Sequence, residues 1–193
     1  MKKRVGVLAL QGDFEAHEKA LTEAGASAVQ VRTAEELASV DGLVIPGGES
    51  TTMLKLLNYM DLKEPLRQFA IEKPVFGTCA GAILLAKDVC NPVQESFGLL
   101  DLTVERNGYG RQIDSRVVHI TPETEFQQRA GAGELEAVFI RAPIIRRVGP
   151  GVKVLAEYDG NAVLVEQGQY LAATFHPELT KDFRVHQLFL GKL

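Results

Sequence analysis

The sequence predicts an α/β fold with a mostly parallel central sheet, flanking helices and added antiparallel strands. In the first half of the chain, strand-like and helix-like runs alternate, which is the pattern of parallel strands joined by crossover helices. These strand-like runs are apolar throughout, as expected of strands buried on both faces. In the second half, short strand-like runs follow one another closely, which favours antiparallel pairing. No linker or repeat interrupts the 193 residues, so we expect a single domain over 1–193.

Four apolar runs predict the strands of the first half. They are 4–10, 28–32, 42–48 and 74–78. Helical spacing of apolar residues predicts helices between and after them. These are 13–25, 34–40, 51–73 in two pieces, and 80–89. In the first helix, Phe14, Leu21 and Ala24 fall near one face, and Gly25 is placed to end the helix.

The second half is predicted as mostly strands. They are 99–108, 115–123, 136–143, 152–160, 161–168 and 169–178. Two connections, Asp159-Gly160 and Gln167-Gly168, have the composition of tight hairpin turns. The chain then closes with a predicted helix over 182–193. We expect these strands to extend the central sheet or to lie beside it.

Composition and charge argue against several classes of protein. With a net charge of −4, the chain lacks the excess of basic residues expected of a nucleic-acid-binding protein. No apolar run reaches the roughly 18 residues of a membrane span, and the apolar start is interpreted as the first strand, not as a signal peptide. Two cysteines are too few for the disulfide framework of a secreted protein, so we expect a cytoplasmic protein. No metal-ligand spacing occurs in the sequence, so we expect no bound metal.

A cysteine lies in the segment Gly77-Thr78-Cys79-Ala80-Gly81, which has the pattern G-x-C-x-G. Hydrolases of the nucleophile-elbow type carry serine at this place, where a strand turns sharply into a helix. Such a nucleophile stands at the carboxyl edge of the sheet, where open α/β sheets bind ligands. The same pentapeptide also fits a buried, unreactive cysteine in a tight turn. Cys90, beside Asn91-Pro92, has no such setting.

A nucleophilic thiol needs a base. Four histidines are available, namely His17, His119, His176 and His186. His176 stands apart because it ends a strand-like run, precedes Pro177, and has Glu178 two residues further on. Glu178 is near enough to orient the imidazole once the chain turns, which would complete a Cys-His-Glu triad. The other three histidines are interpreted as ordinary surface or core residues.

Residues 46–52, Pro-Gly-Gly-Glu-Ser-Thr-Thr, follow the predicted third strand. A glycine pair that leads into hydroxyl side chains is suited to presenting backbone N–H groups to an oxyanion. The same string also fits an ordinary turn followed by a Ser/Thr helix cap. It is not a nucleotide-binding P-loop, because no Gly-Lys-Ser/Thr follows.

These three features, in this order, resemble class I glutamine amidotransferase domains. Longer strings are similar to one family within them, the glutaminase subunits of pyridoxal 5′-phosphate synthase. They are GVLALQGDFEAH, IPGGESTTM, FGTCAGAILLA, ERNGYGRQ, FIRAP and ATFHPELT, which together span residues 6 to 180. The resemblance implies a flavodoxin-like fold of the class I type, and the chain does not depart from the family at the positions that would do chemistry.

The resemblance implies hydrolysis of L-glutamine to glutamate and ammonia. Cys79 would attack the side-chain amide and form a γ-glutamyl thioester. His176 would accept the thiol proton and pass one to the leaving ammonia, and Glu178 would hold His176. Gly47 and Gly48 would form the oxyanion site and line the glutamine pocket. The remaining glutamine-binding positions that the resemblance implies are Glu49, Arg106, Ile140 and Arg141.

The resemblance also implies a partner. Ammonia would pass to a (β/α)₈-barrel synthase subunit, which joins it to a pentose phosphate and a triose phosphate in a large heteromeric assembly. Pyridoxal 5′-phosphate would be the product of that complex, so no cofactor is expected in this chain. The glutaminase of this family is weak or silent until the partner docks, and Gln11, after the first strand, lies where docking is sensed.

Three alternatives remain open. One is the glutaminase subunit of another pathway, such as imidazole glycerol phosphate synthesis, although those tend to carry a bulky residue where Ala80 stands. Another is a stress-protein or peptidase relative of the fold, which usually lacks the late His-Pro-Glu. The third is a catalytically silent regulatory module, against which the intact Cys79, His176 and Glu178 argue.

Overall fold

The computed structural model describes residues 2–107 and 115–193. Within them, the strands are β1 (Arg4–Leu8), β2 (Ser27–Val31), β3 (Gly42–Ile45), β4 (Val75–Thr78), β5 (Ala86–Cys90), β6 (Leu100–Glu105), β7 (Ser115–Ile120), β8 (Leu135–Ile140), β9 (Ile144–Val148), β10 (Lys153–Tyr158), β11 (Asn161–Gln167) and β12 (Tyr170–Ala173). The helices are α1 (Phe14–Glu23), α2 (Ala34–Ala38), α3 (Ser50–Tyr59), α4 (Lys63–Glu72), α5 (Ala80–Leu85), α6 (Thr124–Ala130) and α7 (Arg184–Leu190). A short 3₁₀ turn, Pro177–Leu179, follows β12.

The central sheet has the strand order β10-β11-β12-β4-β3-β1-β2. The strands from β12 to β2 run parallel, whereas β11 and β10 continue the sheet with antiparallel pairing. This confirms the predicted α/β fold with its mostly parallel sheet and added antiparallel strands. The carboxyl ends of β1, β3, β4 and β12 meet at one edge, where Ala173 pairs with Thr78. Segments that follow these four strands are thereby brought together.

Apolar side chains cover both faces of the central sheet. In β3, Leu43 and Ile45 belong to one buried cluster, together with Leu57 of α3. Val44, between them, belongs to the opposite cluster, together with Phe189 of α7. Burial on both faces explains why the strand-like runs of the first half are apolar throughout. No helix among the described residues is long and apolar enough to cross a bilayer.

Two smaller sheets lie beside the central one in the described part of the chain. In one, β5 pairs parallel with β6, and β6 pairs antiparallel with β9. In the other, β7 pairs antiparallel with β8. The β8 strand ends at Ile140 and carries Val138, whose carbonyl accepts a 2.8 Å hydrogen bond from the backbone N–H of His176. This contact ties the smaller sheet to the segment that follows β12.

Three elements differ from the sequence-based prediction. The helix predicted over 80–89 is wrong beyond Leu85, because residues from Ala86 onward form β5 and pair with β6. Tertiary pairing overrides the local helical spacing there. The sequence patterns also fail to reveal β9 and α6. In β9, two buried residues precede three exposed ones, so the alternation that marks a strand is absent.

Candidate active site

The cysteine turn lies between β4 and α5, at the carboxyl edge of the central sheet. Cys79 has φ 48° and ψ −104°, a positive-φ conformation that costs energy in a residue with a side chain. Its backbone N–H donates to the carbonyl of Ala173 in β12 at 2.9 Å, which helps to hold the strained residue. Gly81 packs directly on β3, since a Cβ there would stand 2.1 Å from the Ile45 carbonyl oxygen. This close contact with β3 explains why a glycine stands two residues after the cysteine.

The predicted base and its orienting carboxylate lie on the segment that follows β12. His176 precedes the 3₁₀ turn, and its ring Nδ1 lies 2.7 Å from Oε1 of Glu178. The side chain of Glu178 is fully buried, whereas that of His176 is 10% exposed. With Nδ1 engaged by the carboxylate, Nε2 is the ring nitrogen left to exchange a proton with Cys79, which lines the same cavity.

Charge favours the protonated form of His176. Burial lowers its pKa, but hydrogen bonds with Cys79 and Glu178, together with the negative charge of both groups, outweigh burial and raise the pKa to about 10. A nucleophilic cysteine needs a neighbouring group that can take and return its proton, and His176 stands in that place.

The glycine turn after β3 lies against His176 and the loop after β1. A Cβ on Gly47 would stand 2.5 Å from Cε1 of His176, so no larger residue fits there. Gly48 has φ 143°, and a Cβ on it would stand 1.9 Å from Nε2 of Gln11. The same Gln11 nitrogen donates to the Glu49 carbonyl at 3.4 Å. Gln11 is therefore in direct contact with the glycine turn.

Glu49 caps helix α3 and fixes an arginine at the site. Its carboxylate accepts hydrogen bonds from the backbone N–H groups of Thr51 and Thr52 at 3.0 and 2.7 Å. Arg106 donates to Glu49 at 3.1 Å and to Oγ1 of Thr51 at 2.9 Å. Partial burial raises the pKa of Glu49, but the hydrogen bonds from Thr52 and Thr51 outweigh it and lower the pKa to about 2. Glu49 is thus negatively charged where it meets Arg106.

A cavity of about 320 Å³ lies beside Cys79 and His176, which both line it. Every residue to which the resemblance assigns glutamine binding also lines it, namely Gly47, Gly48, Glu49, Arg106, Ile140 and Arg141. The sequence does not predict the further lining residues Gly12, Asp13, Ser50, Ile83, Asn107 and Leu179. Glu178 and Gln11 do not line the cavity themselves. Glu178 contacts the lining residue His176, and Gln11 contacts the lining residue Gly48. Of the string ERNGYGRQ, residues 108–112 lie outside the described part of the chain.

This arrangement is suited to acyl transfer. A thiol, an imidazole oriented by a carboxylate, and a glycine turn beside them are the parts that a covalent mechanism requires. Two arginines, Arg106 and Arg141, line the cavity, and arginine suits a substrate that carries a carboxylate. Across residues 2–107 and 115–193, no group of three or more His, Cys, Asp or Glu side chains could hold a metal ion.

Two histidines interpreted from the sequence as ordinary residues lie close to this site. His17 and His186 are both fully buried, and Nδ1 of His17 lies 3.1 Å from Nε2 of His186. Nε2 of His17 lies 3.0 Å from Oγ1 of Thr78 and 3.3 Å from Oε2 of Glu178. A signal for His17 exists in the sequence, since it stands three residues after Phe14 and four before Leu21, on the helix face expected to be buried.

Burial of two neutral histidines predicts that the protein loses stability in weak acid. Burial lowers the pKa of His186 to about 4. Burial, with the nearby His186 and His176, lowers the pKa of His17 well below its ordinary value of 6.5. In the unfolded chain both rings accept a proton near pH 6.5, so below this pH protonation favours unfolding. We expect the free energy of unfolding to fall by up to about 1.4 kcal/mol per pH unit for each ring between about pH 6.5 and 5.

Urea unfolding at about pH 6.5, 5.8 and 5 measures this loss. In this range His176, whose pKa is raised to about 10, is largely protonated in the folded and the unfolded chain, so it contributes little to the change. His186→Gln should remove the contribution of one of the two rings to the pH dependence of the free energy of unfolding. His119 is exposed on β7, so His119→Gln should leave the dependence unchanged. A free energy of unfolding that stays constant or rises as the pH falls through this interval would contradict the prediction.

The chain matches known proteins over nearly its whole length. Residues 7–193 match the SNO glutamine amidotransferase family. The chain is 64% identical, over 191 residues, to pyridoxal 5′-phosphate synthase subunit PdxT of Solibacter usitatus, covering 99% of this chain and 100% of that protein. It is 58% identical to the protein of the same name from Koribacter versatilis, covering 97% of this chain and 94% of that one.

Solved structures agree with these matches. A structure described as a glutamine amidotransferase superposes with a TM-score of 0.87 at 46% identity, covering 97% of each chain. The PurLQS structure from Thermotoga maritima superposes with a TM-score of 0.70 at 18% identity, covering 99% of each chain. The second likeness concerns the fold alone.

Proposed function

Because the chain belongs to the SNO glutamine amidotransferase family, we propose that it hydrolyses L-glutamine to L-glutamate and ammonia as a single glutaminase domain over 1–193. The proposal rests on one observation, the spatial arrangement of Cys79, His176 and Glu178, hereafter the triad. Its cysteine and histidine face the cavity, and its carboxylate lies 2.7 Å from Nδ1 of the histidine. Each triad member has the chemistry that this reaction requires.

In the first half of the reaction, the Cys79 thiolate attacks the side-chain carbonyl carbon of glutamine. A carbon–sulfur bond forms, and the carbonyl oxygen becomes an oxyanion. Backbone N–H groups of Gly47 and Gly48 are the proposed donors to this oxygen, in keeping with their place beside His176. As the carbon–nitrogen bond breaks, the His176 imidazolium gives its proton to the leaving nitrogen, so ammonia departs and a γ-glutamyl thioester remains.

In the second half, water hydrolyses the thioester. His176, now neutral, accepts a proton from the water as its oxygen bonds to the carbonyl carbon. Collapse of the tetrahedral intermediate breaks the carbon–sulfur bond and releases glutamate, which restores the thiolate and imidazolium pair. Glu178 holds the ring in one orientation and stabilises its positive charge throughout. It does not transfer the proton itself.

Charged groups at the cavity wall are proposed to bind the amino-acid end of glutamine. Arg106 is anchored by Glu49 and Thr51, so its guanidinium is presented in a fixed orientation. We assign the substrate carboxylate to the positive side of the cavity, formed by Arg106 and Arg141. The Ile140-Arg141 segment at the end of β8 and Glu49 complete the proposed glutamine site.

The partner follows from the relatives, which are named as subunits of pyridoxal 5′-phosphate synthase. We propose that the ammonia passes directly to a (β/α)₈-barrel synthase subunit within a large heteromeric assembly in the cytoplasm. The lyase activity belongs to that complex, and pyridoxal 5′-phosphate is its product. The reaction at the triad needs neither a cofactor nor a metal, and neither nucleic acid nor a membrane takes part.

We further propose that docking of the synthase switches the glutaminase on through Gln11. A glutaminase without an acceptor for its ammonia would consume glutamine to no use. A Cβ on Gly48 would stand 1.9 Å from Nε2 of Gln11, so the Gln11 side chain packs directly against the glycine turn. Movement of the loop after β1, which carries Gln11, would therefore shift this turn. Two adjacent glycines can reorient a peptide at small steric cost. Turning one N–H toward the oxyanion restores a donor worth about 3 kcal/mol.

A comparison of rates with and without the partner tests the function and the switch. We expect the isolated chain to release glutamate slowly or not at all, and saturating synthase to raise the rate about a hundredfold or more. Steady-state glutamate release from glutamine is the measurement. Equal rates in the two conditions would remove the switch and leave the triad in place. No glutamate release in either condition would overturn the proposed function.

A further inference from the structure

A pair of histidines fills the space behind the triad. His17 on α1 and His186 on α7 are each 0% exposed, although they belong to distant parts of the chain. Nε2 of His17 approaches Thr78 at 3.0 Å and Glu178 at 3.3 Å. His17 therefore touches both the residue that directly precedes Cys79 and the carboxylate of the triad.

Hydrogen-bond accounting assigns a proton to Nε2 of His17. Oε2 of Glu178 is buried, and within the described residues no donor meets it in ordinary hydrogen-bond geometry. The group that faces it is Nε2 of His17, at 3.3 Å. A proton on this nitrogen makes the approach attractive and is shared with the Thr78 hydroxyl. A bare lone pair would instead face the carboxylate and repel it.

His186 agrees with this assignment. When Nε2 of His17 carries the proton, its Nδ1 is an acceptor and takes the hydrogen bond from Nε2 of His186 at 3.1 Å. Nδ1 of His186, buried without a hydrogen-bond partner among the described residues, then holds only a lone pair. The opposite assignment would bury an N–H group of His186 without an acceptor, and such orphaned donors are rarer in folded proteins than unpaired acceptors.

A neutral donor is what the triad needs at this place. Burial, with His186 and His176 nearby, lowers the pKa of His17 well below its ordinary value, so the ring is uncharged at neutral pH. A protonated His17 would form an ion pair with Glu178 and reduce the negative charge that stabilises the His176 imidazolium. A neutral N–H orients the carboxylate and leaves its charge to His176.

We propose that His17 is a positioning residue for glutamine hydrolysis. It holds the Glu178 carboxylate in line with His176 and connects it, through Thr78, to the cysteine turn, while His186 fixes the tautomer of His17. The inference rests on the proposed function. His17 does not line the cavity, so its role is in turnover and not in glutamine binding.

Two substitutions of similar size separate hydrogen bonding from packing at this position. His17→Met fills the buried space without a donor, whereas His17→Gln places an amide N–H near the original Nε2. In the complex with the synthase, we expect His17→Met to lower kcat about 10- to 100-fold with KM nearly unchanged, which is the range found for outer partners that orient the ligands of metal sites. We expect His17→Gln to keep most of the wild-type kcat. His119→Met, on the exposed side of β7, is the matched control and should retain full activity.

Circular dichroism and the rate of Cys79 alkylation by iodoacetamide accompany these assays. A folded His17→Met variant with wild-type kcat overturns the inference, and so does a His17→Gln variant that is as slow as a folded His17→Met variant. If His17→Met does not fold, the test moves to His186→Met and His186→Gln. We expect kcat to fall severalfold in His186→Met and to stay near the wild-type value in His186→Gln. Equal rates in these two variants overturn the inference. A wild-type complex that releases no glutamate overturns the proposed function and this inference with it.

Discussion

Replacing Cys79 by alanine is expected to remove glutamine hydrolysis while the protein remains folded. The proposed mechanism assigns the nucleophile to this thiol, and no other described residue of the cavity carries a thiol. Alanine keeps the Cβ, so the positive-φ backbone at φ 48° is strained to a similar extent in both proteins. The neighbouring small residues leave room for it. We therefore expect glutamate release to fall to background in the complex with the synthase, with an unchanged thermal unfolding midpoint.

Two controls make this result specific to the nucleophile. Cys90 is half-buried at the end of β5 and does not line the cavity, so Cys90→Ala should hydrolyse glutamine at the wild-type rate. With the synthase present, added ammonium salt should still support formation of pyridoxal 5′-phosphate by the Cys79→Ala complex, because only the ammonia source is lost. Retention of glutamine hydrolysis in Cys79→Ala would rule out this thiol as the nucleophile.

Replacing His176 by asparagine has the second-largest expected effect. Asparagine cannot accept the proton that the imidazole takes from water or give one to the leaving ammonia, so both halves of the reaction fail. We expect His176→Asn to lose most glutamate release and most thioester formation. Trapping of the thioester from labelled glutamine measures the first half of the reaction separately.

Glu178→Gln should be less damaging than His176→Asn. In the proposed mechanism Glu178 orients the ring from 2.7 Å and does not transfer the proton. Glutamine retains one oxygen that can accept the Nδ1–H bond. His119→Asn, exposed on β7, serves as the control for histidine loss. The reverse order, with Glu178→Gln inactive and His176→Asn substantially active, would show that the assigned roles are wrong.

Much of the fold was predictable because its signals are local. Apolar runs marked the parallel strands, and the glycines around Cys79 marked the turn between β4 and α5. The resemblance to glutamine amidotransferases is confirmed by the family match over residues 7–193. The errors fell where tertiary pairing decides, as at Ala86, where the strand pairing with β6 replaces the predicted helix. The assignment of each triad residue to its step stays a prediction until the variants are measured.

The sequence by itself determined most of the elements, the cysteine turn and the family, because each of these depends on residues that are neighbours along the chain. Only the tertiary structure decided what lies behind the triad. His17 on α1, Thr78 on β4 and His186 on α7 meet through contacts of 3.0 and 3.1 Å, and none of these elements is adjacent to another in sequence. Their meeting depends on how both helices pack on the sheet. No local pattern encodes the buried neighbours that lower the pKa of His17 and turn it toward Glu178.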